Sequence, residues 1–488
     1  MKLALINEPN VPQKFSDRDV VKDIKKTVLK NVSITNIDPP LSLMYISSFL
    51  NKFQYKNKII DINAENISNK KILDKIIKYQ PDVGIFIVDL FTPTITLKWI
   101  KYLKEKLGLT IIVLSDITNP WNDALVNYPK AVISNDFIDY GIIGSFRKSL
   151  PELLEFLKGH RDNIKDIEGI LSKDKEGIFV NYPEKKYENL NELPWPNRKD
   201  LDNTKYQAFF SKSKSLTSIY TSLGCPFSCT FCNIGANEVD CFYQRDIEDV
   251  VKEIEYCVKN QGIKSIKFYD RDFLINKKRS KKICEEILKR NIDFEWSCMT
   301  RIDRLDKNTL KLLKKSGCQL IWFGIESGNE EMLENLEKEI TLDQYEAGLK
   351  KVREFGIKTG GFFIIGSPGE TEKEVKETIN FAKDLALDYA EFSKMMDRPG
   401  TELYEETKKY LGYDYFEKLL KGEKPDRKLP LPWTDLTNEE IDYWIKKAFY
   451  EFYLRPSYAL NKLRNIDNVT KFLRYAKIGF NALQIKNI

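Results

Sequence analysis

Along the first 160 positions the apolar residues come in two alternating rhythms. Short continuous runs, "LALI", "KIIDI", "VGIFIV", "TIIVLSD" and "AVIS", read as strands buried on both faces. Between them "PLSLMYISSFLNKF", "KKILDKIIKY", "TLKWIKYLKEKL" and "KSLPELLEFLKG" repeat their apolar positions at helical spacing. This alternation predicts an α/β, doubly wound parallel sheet over residues 1–165, which binds ligands beyond the carboxyl ends of its strands. From 166 to 215 the pattern loosens. "ENLNELPWPNR" sets Pro194 and Pro196 around Trp195, so neither helix nor sheet is expected there and 166–215 reads as a connector.

Over 216–405 the alternation resumes, and each strand-like run now ends in a polar or glycine-containing cluster. "TSIYTS" enters a cysteine-rich loop, "SIKFYDRD" reaches Asp270 and Asp272, and "FEWSCMTR" reaches Arg301. "LIWFGIES" reaches Glu326 and Ser327, "GGFFIIGSPGE" reaches Gly366 and Gly369, and "YAEFSK" reaches Lys394. In a parallel barrel all strand ends lie on one face, so a (β/α)6 partial TIM barrel would gather these residues around one mouth. Intervening helices fit: Ile247, Val250, Val251, Ile254 and Val258 share a face, while Asp306 and Gly317 stand where an N-cap and a C-terminal glycine belong. Residues 406–488 lose the strand pattern and read as a helical C-terminal region whose aromatics pack on the barrel.

Composition narrows the function classes. A chain of 488 residues with 42% apolar and 31% charged residues reads as globular and soluble, in two or three domains. A net charge of +6 does not argue for nucleic acid, and the basic residues Lys462, Arg464, Lys471, Arg474 and Lys477 read as a solvated helix face. No apolar run approaches the eighteen or so residues that spanning a bilayer needs, and "MKLALINEPN" lacks the apolar core of a signal peptide. A cytoplasmic enzyme is expected, its eight cysteines mostly reduced.

Three of those cysteines, Cys225, Cys229 and Cys232, crowd into "SLGCPFSCTFCNIG". Three chemistries compete for them. A structural zinc needs four nitrogen or sulfur donors, and the single histidine, His160, lies in the other domain, so Cys241 would have to serve. An electron-transfer cluster of four irons needs four thiolates. A cluster that leaves one iron open needs only three. Cys257, Cys284, Cys298 and Cys318 read as buried core residues. Cys241 is ambiguous between a fourth ligand, a core thiol and a group facing the substrate.

C-x3-C-x2-C with Phe231 before the last cysteine resembles the signature of the radical S-adenosylmethionine (radical SAM) enzymes. The resemblance implies that Cys225, Cys229 and Cys232 hold a [4Fe–4S] cluster whose open iron chelates S-adenosylmethionine. One electron, from a donor such as flavodoxin or ferredoxin, then releases a 5′-deoxyadenosyl radical that abstracts hydrogen from the substrate. A chain with one histidine suits chemistry that needs no imidazole base. By physical need, Asp270 or Asp272 would accept from the SAM ammonium and Arg301 would bind its carboxylate. Glu326 and Ser327 would meet the ribose, and Phe231 would lie near the adenine.

"RDIEDVVKEI", "FYDRDFL", "GIESGNEEML", "GFFIIGSPGET", "RPGTELYE" and "FYLRPSY" further resemble the radical SAM branch with an N-terminal cobalamin-binding domain, which holds methyltransferases and the anaerobic oxidative cyclase. That branch implies bound cobalamin and methyl transfer to an unactivated carbon of a small molecule, with radical cyclisation as the alternative. Two features depart from it. There is no D-x-H-x-x-G segment, and Ser115 and Asp116 replace a glycine pair after the fourth strand, where glycines let backbone approach a bulky ligand.

Overall fold

A computed structural model describes residues 1–7, 38–65, 69–90, 92–184, 189–208, 210–211, 213, 215–236, 242–423, 431–456 and 458. The described residues form two compact units. One comprises those before 207 together with 411–423, the other 207–410 and those from 431 on.

The first unit is built on strands β1 (Lys2–Asn7), β2 (Lys56–Asp61), β3 (Val83–Phe86), β4 (Thr110–Leu114), β5 (Tyr140–Ile142), β6 (Ile170–Asp174) and β7 (Gly177–Val180), in the order β2-β1-β3-β4-β5-β6-β7. β1 to β5 are parallel, with Leu5 opposite both Ile59 and Ile85. Helices Leu41–Lys52, Asn69–Tyr79, Pro93–Leu107 and Phe146–Leu157 connect them. This is the expected doubly wound sheet, whose strand order reverses at β1, the kind of switch point at which such sheets bind ligands beyond the strand ends. The strands are apolar throughout because both faces are covered: Leu3, Leu5, Ile85, Ile112 and Val113 are wholly buried, each worth about 2 kcal/mol.

Two expectations are corrected here. The connector 166–215 contains an antiparallel hairpin, β6–β7, that extends the sheet from β5. Its turn is closed by Asp174, which accepts from Glu176 N at 2.8 Å, and by Gly177 at φ +124°, a value L side chains resist. The helical region from 406 is not one body. Helix Tyr415–Leu420 belongs with the first unit, where Asn135 Nδ2 donates to Leu420 O at 3.0 Å and Phe416 meets Tyr128 with ring centroids 6.3 Å apart.

At the carboxyl edge of this sheet, the residues in place of the glycine pair bond to neighbouring segments and to their own loop. Ser115 Oγ donates to Ile142 O and accepts from Gly144 N, both at 3.2 Å. Asp116 Oδ1 accepts from Ser42 Oγ at 2.5 Å, Thr118 N at 2.8 Å and Asn119 N at 3.0 Å. Gly144, after β5, keeps a positive φ of 78°.

In the second unit β8 (Leu216–Ile219), β11 (Ser265–Phe268), β12 (Glu295–Met299), β13 (Cys318–Glu326), β14 (Lys358–Ile365) and β15 (Tyr389–Lys394) form one parallel sheet in sequence order, open between β8 and β15. A short antiparallel pair, β9 (Ser222–Leu223) and β10 (Tyr243–Gln244), stands apart. Helices Ile247–Glu255, Lys277–Lys289, Lys307–Lys315, Leu342–Glu354 and Glu372–Asp384 alternate with the strands, the partial barrel that the sequence predicts.

Alternate residues of the strands pack on those helices, among them Ile266, Trp296, Ile321, Phe323, Phe363 and Phe392. On the other face Trp322 stacks on Phe362 at 4.6 Å and on Tyr389 at 6.3 Å, and it lies over Gly360, where a Cβ would be 2.5 Å from the indole. Asp306 caps its helix through Thr309 N at 2.8 Å, and Gly317 follows at φ +103°. Helix Asn438–Tyr453 closes the edge, the Tyr453 hydroxyl donating to Ala390 O and accepting from Ala390 N, both at 2.8 Å. Lys462, Arg464, Lys471, Arg474 and Lys477 lie outside the described residues. No described helix is long and apolar enough to cross a membrane.

Candidate active site at the barrel mouth

Strand β8 ends at Ile219, and within six residues the chain reaches Cys225. The root of the cysteine loop is held by a buried charged lattice. Thr221 donates its N–H (2.7 Å) and hydroxyl (2.5 Å) to Asp270, and Ser222 adds its hydroxyl at 2.7 Å. Arg279 donates to Thr221 Oγ1 and Thr221 O, both at 3.0 Å, and Arg245 bridges Tyr220 O at 2.9 Å and the buried Glu253 at 2.6 Å. β9 pairs with β10 just beyond, so the loop is tied at its base.

Asp270, expected as an acceptor for the SAM ammonium, is therefore reassigned. It is 1% exposed, and both its oxygens serve the loop root. Burial pushes its carboxyl up, and the Thr221 and Ser222 bonds pull it back.

Asp272 differs. Its Oδ1 accepts from Thr300 Oγ1 at 2.5 Å and Leu274 N at 3.1 Å, while Oδ2 is buried with no hydrogen-bond partner among the described residues. An orphaned carboxylate oxygen is expensive unless a ligand satisfies it. Its charge is felt at Cys225, whose thiol is pushed up to about 11, first by burial and then by Cys232, Asp272 and Cys229. Cys229 is pushed up by burial too, with Lys338 and Arg301 acting against it. The thiols and Asp272 thus share one electrostatic neighbourhood. Gly224 precedes them at φ +83°, and Cys232 N donates to Cys229 O at 3.0 Å, so the loop coils tightly.

Arg301 is present at the mouth but committed in part: Nε and Nη2 donate to Asp303 at 3.2 Å each. Its guanidinium lies 4.3 Å from the Phe227 ring centroid, and that of Arg304 lies 5.3 Å away. Phe227, inside the cysteine loop, is thus flanked by two cations. Arg304 Nε is buried without a hydrogen-bond partner among the described residues.

Glu326 ends β13 at φ +69° and pairs with Lys338, Nζ to Oε1 2.8 Å, both buried. A ribose hydroxyl would find only the second oxygen of Glu326. Ser327 is wholly buried and bound to Thr378 Oγ1 at 3.0 Å and Asn329 N at 3.2 Å, so it fastens the strand end to helix Glu372–Asp384 and is withdrawn from the ribose role. Lys394 donates to Asn438 Oδ1. Phe231 packs against Leu336, Met395, Leu403 and Trp433, an apolar wall at the mouth.

Sequence reasoning missed Lys338, Arg304 and Phe227. Lys338 had a signal: Leu336, Lys338 and Ile340 are buried while Glu337 and Glu339 between them are exposed, a strand-like alternation with lysine in an apolar slot. Cys257, Cys284, Cys298 and Cys318 are buried as expected, and Cys241 lies outside the described residues. His160 is on the surface of the first unit, 2.9 Å from Glu155. Among the described residues no three His, Cys, Asp or Glu groups are placed as ligands of a single metal ion.

Comparison with known proteins agrees with this geometry. Residues 219–382 match the model of the radical SAM superfamily. An uncharacterized methyltransferase of Pyrococcus horikoshii is 31% identical over 432 residues, 86% of this chain and 88% of that protein. The anaerobic magnesium-protoporphyrin IX monomethyl ester cyclase of Rubrivivax gelatinosus is 26% identical over 75% of this chain and 66% of its own. The fold is that of the radical SAM methyltransferase TsrM from Kitasatospora setae, solved with cobalamin and a [4Fe–4S] cluster bound, at a TM-score of 0.61 and 19% identity over 84% of this chain and 79% of that one. With cysteines, barrel and relatives in accord, this chain belongs to the radical SAM superfamily.

Proposed function

We propose that the protein is a radical SAM enzyme that transfers a methyl group to an unactivated carbon of a small molecule, with cobalamin as second cofactor. The observation that carries the reading is the orphaned Asp272 Oδ2 near the cysteine loop: a buried acceptor available to a SAM ammonium if the three thiols hold an open-cornered cluster. When bound, the cluster supplies the electron that cleaves SAM, and the cobalamin supplies methyl-transfer chemistry.

The chain's own residues bind and orient. Cys225, Cys229 and Cys232 would ligate three irons. Asp272 would accept from the ammonium, and Arg301, with Arg304, would offer cations to the carboxylate. Phe231 and the Trp433 wall would keep water from the radical. In the first unit, the backbone at Ser115 and Asp116 and Gly144 would flank the corrinoid, since the two substituted side chains are engaged by neighbouring groups of the protein, Ser115 by Ile142 and Gly144 and Asp116 by Ser42 and its own loop. The methyltransferase relative and the cobalamin-bound fold neighbours support this reading. Radical cyclisation is the second reading, favoured by the similarity to the cyclase.

Anaerobic reconstitution tests the proposal. About four irons per chain, lost in each cysteine-to-alanine variant and kept in Cys241→Ala, are expected, with SAM cleavage. Cobalamin near one per chain supports methyl transfer. A value near zero rules out that route and leaves cyclisation.

A further inference from the structure

The mouth contains a buried ion pair that the expected SAM contacts do not explain. Lys338 Nζ lies 2.8 Å from Glu326 Oε1, and the two residues are 7% and 6% exposed. Burying two charges is costly, and this pair is accommodated by three further features. Glu326 adopts a left-handed backbone at φ +69°. Gly324 carries no side chain, and a Cβ there would stand 2.3 Å from Glu326 Oε1 and 2.9 Å from Lys338 Nζ. Tyr345 donates to Gly324 O at 2.7 Å, fixing the strand below. Lys338 reaches this place from a segment, Glu337 to Glu339, with two more residues at positive φ. A surface pair would need none of this.

The position of the lysine suggests why it is built. Its ammonium lies 6.0 Å from the centroid of Phe231, the residue before Cys232, inside the cysteine loop. Of the pair it is the ammonium that stands against the ring inside the cysteine loop, with the glutamate paired to it at 2.8 Å. A cluster held by three thiolates is anionic and gains a further negative charge on reduction.

We infer that Lys338 is a positioning residue that favours cluster reduction, its buried ammonium held beside the cysteine loop by Glu326. The inference rests on the reading that Cys225, Cys229 and Cys232 hold the cluster. It assigns Glu326 to electrostatic setting and only secondarily to the ribose. Reduction of the cluster takes up one electron from the external donor and breaks no bond in the protein, so no group transfer is implied.

The test is an anaerobic redox titration of the reconstituted full-length protein, followed by the electron paramagnetic resonance of the reduced cluster, in native, Lys338→Met, Lys338→Arg and Glu326→Gln forms. Iron content is measured on each sample. Lys338→Met should lower the midpoint by about 60 mV, a tenfold shift in a one-electron equilibrium, Glu326→Gln should raise it, and Lys338→Arg should stay close to native. Opposite signs separate charge from packing. Full iron content with an unmoved midpoint in Lys338→Met, or shifts of the same sign in Lys338→Met and Glu326→Gln, would overturn the inference. Should Lys338→Met not load, Glu326→Gln alone decides, because an unmoved or lowered midpoint there is also fatal. Iron that persists in the cysteine variants would defeat the cluster reading itself, a different result.

Discussion

Gly324 leaves empty the space that the Glu326 carboxylate fills, since a Cβ at 324 would stand 2.3 Å from Glu326 Oε1. Gly324→Ala therefore has to displace the Glu326–Lys338 pair. Loosening a buried pair should cost about 2 kcal/mol, measured by denaturant unfolding of the loaded protein. Gly328→Ala should cost more, because its Cβ would meet backbone, Thr378 Cα at 2.7 Å and Glu377 O at 2.9 Å, which cannot swing aside.

Asp270 and Asp272 are two residues apart and serve different ends. Asp270→Asn removes the anion that accepts from Thr221 and Ser222 beside Arg279, so it should lower stability by about 3 kcal/mol and loosen the cysteine loop. Asp272→Asn keeps an acceptor for Thr300 and weakens the charge offered to SAM. It should unfold near the native midpoint but bind SAM about tenfold more weakly, ~1.4 kcal/mol, by equilibrium dialysis. Equal SAM affinity in the two variants would refute the division of roles.

That division marks the limit of what the chain announces. The six strand ends of the barrel and the parallel strands of both sheets are legible because buried parallel strands are apolar throughout and stop abruptly at their polar ends. Which carboxylate faces the ligand is not legible, since Asp270 and Asp272 both follow β11, and only the turn after Phe268 sends one to Thr221 and the other to Thr300. The hairpin β6–β7 carried its own sign in "SKDKEG", a charged turn closed by glycine, which a looser surrounding pattern concealed. Lys338 is harder still. Its partner lies twelve residues back, and in a run of glutamates only its alternation with Leu336 and Ile340 distinguishes it.

The seven described cysteines divide by environment, and substitution should show it. Alanine at Cys225, Cys229 or Cys232 should abolish iron binding while leaving the apoprotein folded, because these partly buried thiols lie outside the barrel core. Alanine at Cys284 or Cys298, both in the barrel core, should cost about 1 kcal/mol of stability and leave the iron content unchanged. Iron analysis alongside thermal unfolding separates the two groups.

Glu370 offers a pH-dependent signature of the loop after β14. Its Oε2 accepts from Gly366 N at 2.5 Å and Ser367 N at 3.1 Å, while Oε1 is buried with no hydrogen-bond partner among the described residues. Burial lifts its carboxyl from the ordinary 4.5 to about 7, against the pull of the two backbone donors. The folded state therefore binds this proton more tightly than the unfolded chain, so the associated stability is fully present below about pH 4.5 and is lost as pH rises through about 7. The slope should be about 1.4 kcal/mol per pH unit within that window, some ~3 kcal/mol in all. Glu370→Gln should lack this slope. The difference in unfolding free energy between native protein and variant, followed from pH 5 to pH 7, should change in favour of the variant as pH rises. A difference that stays flat would mean that the carboxyl is already ionised in the fold and that another donor reaches Oε1.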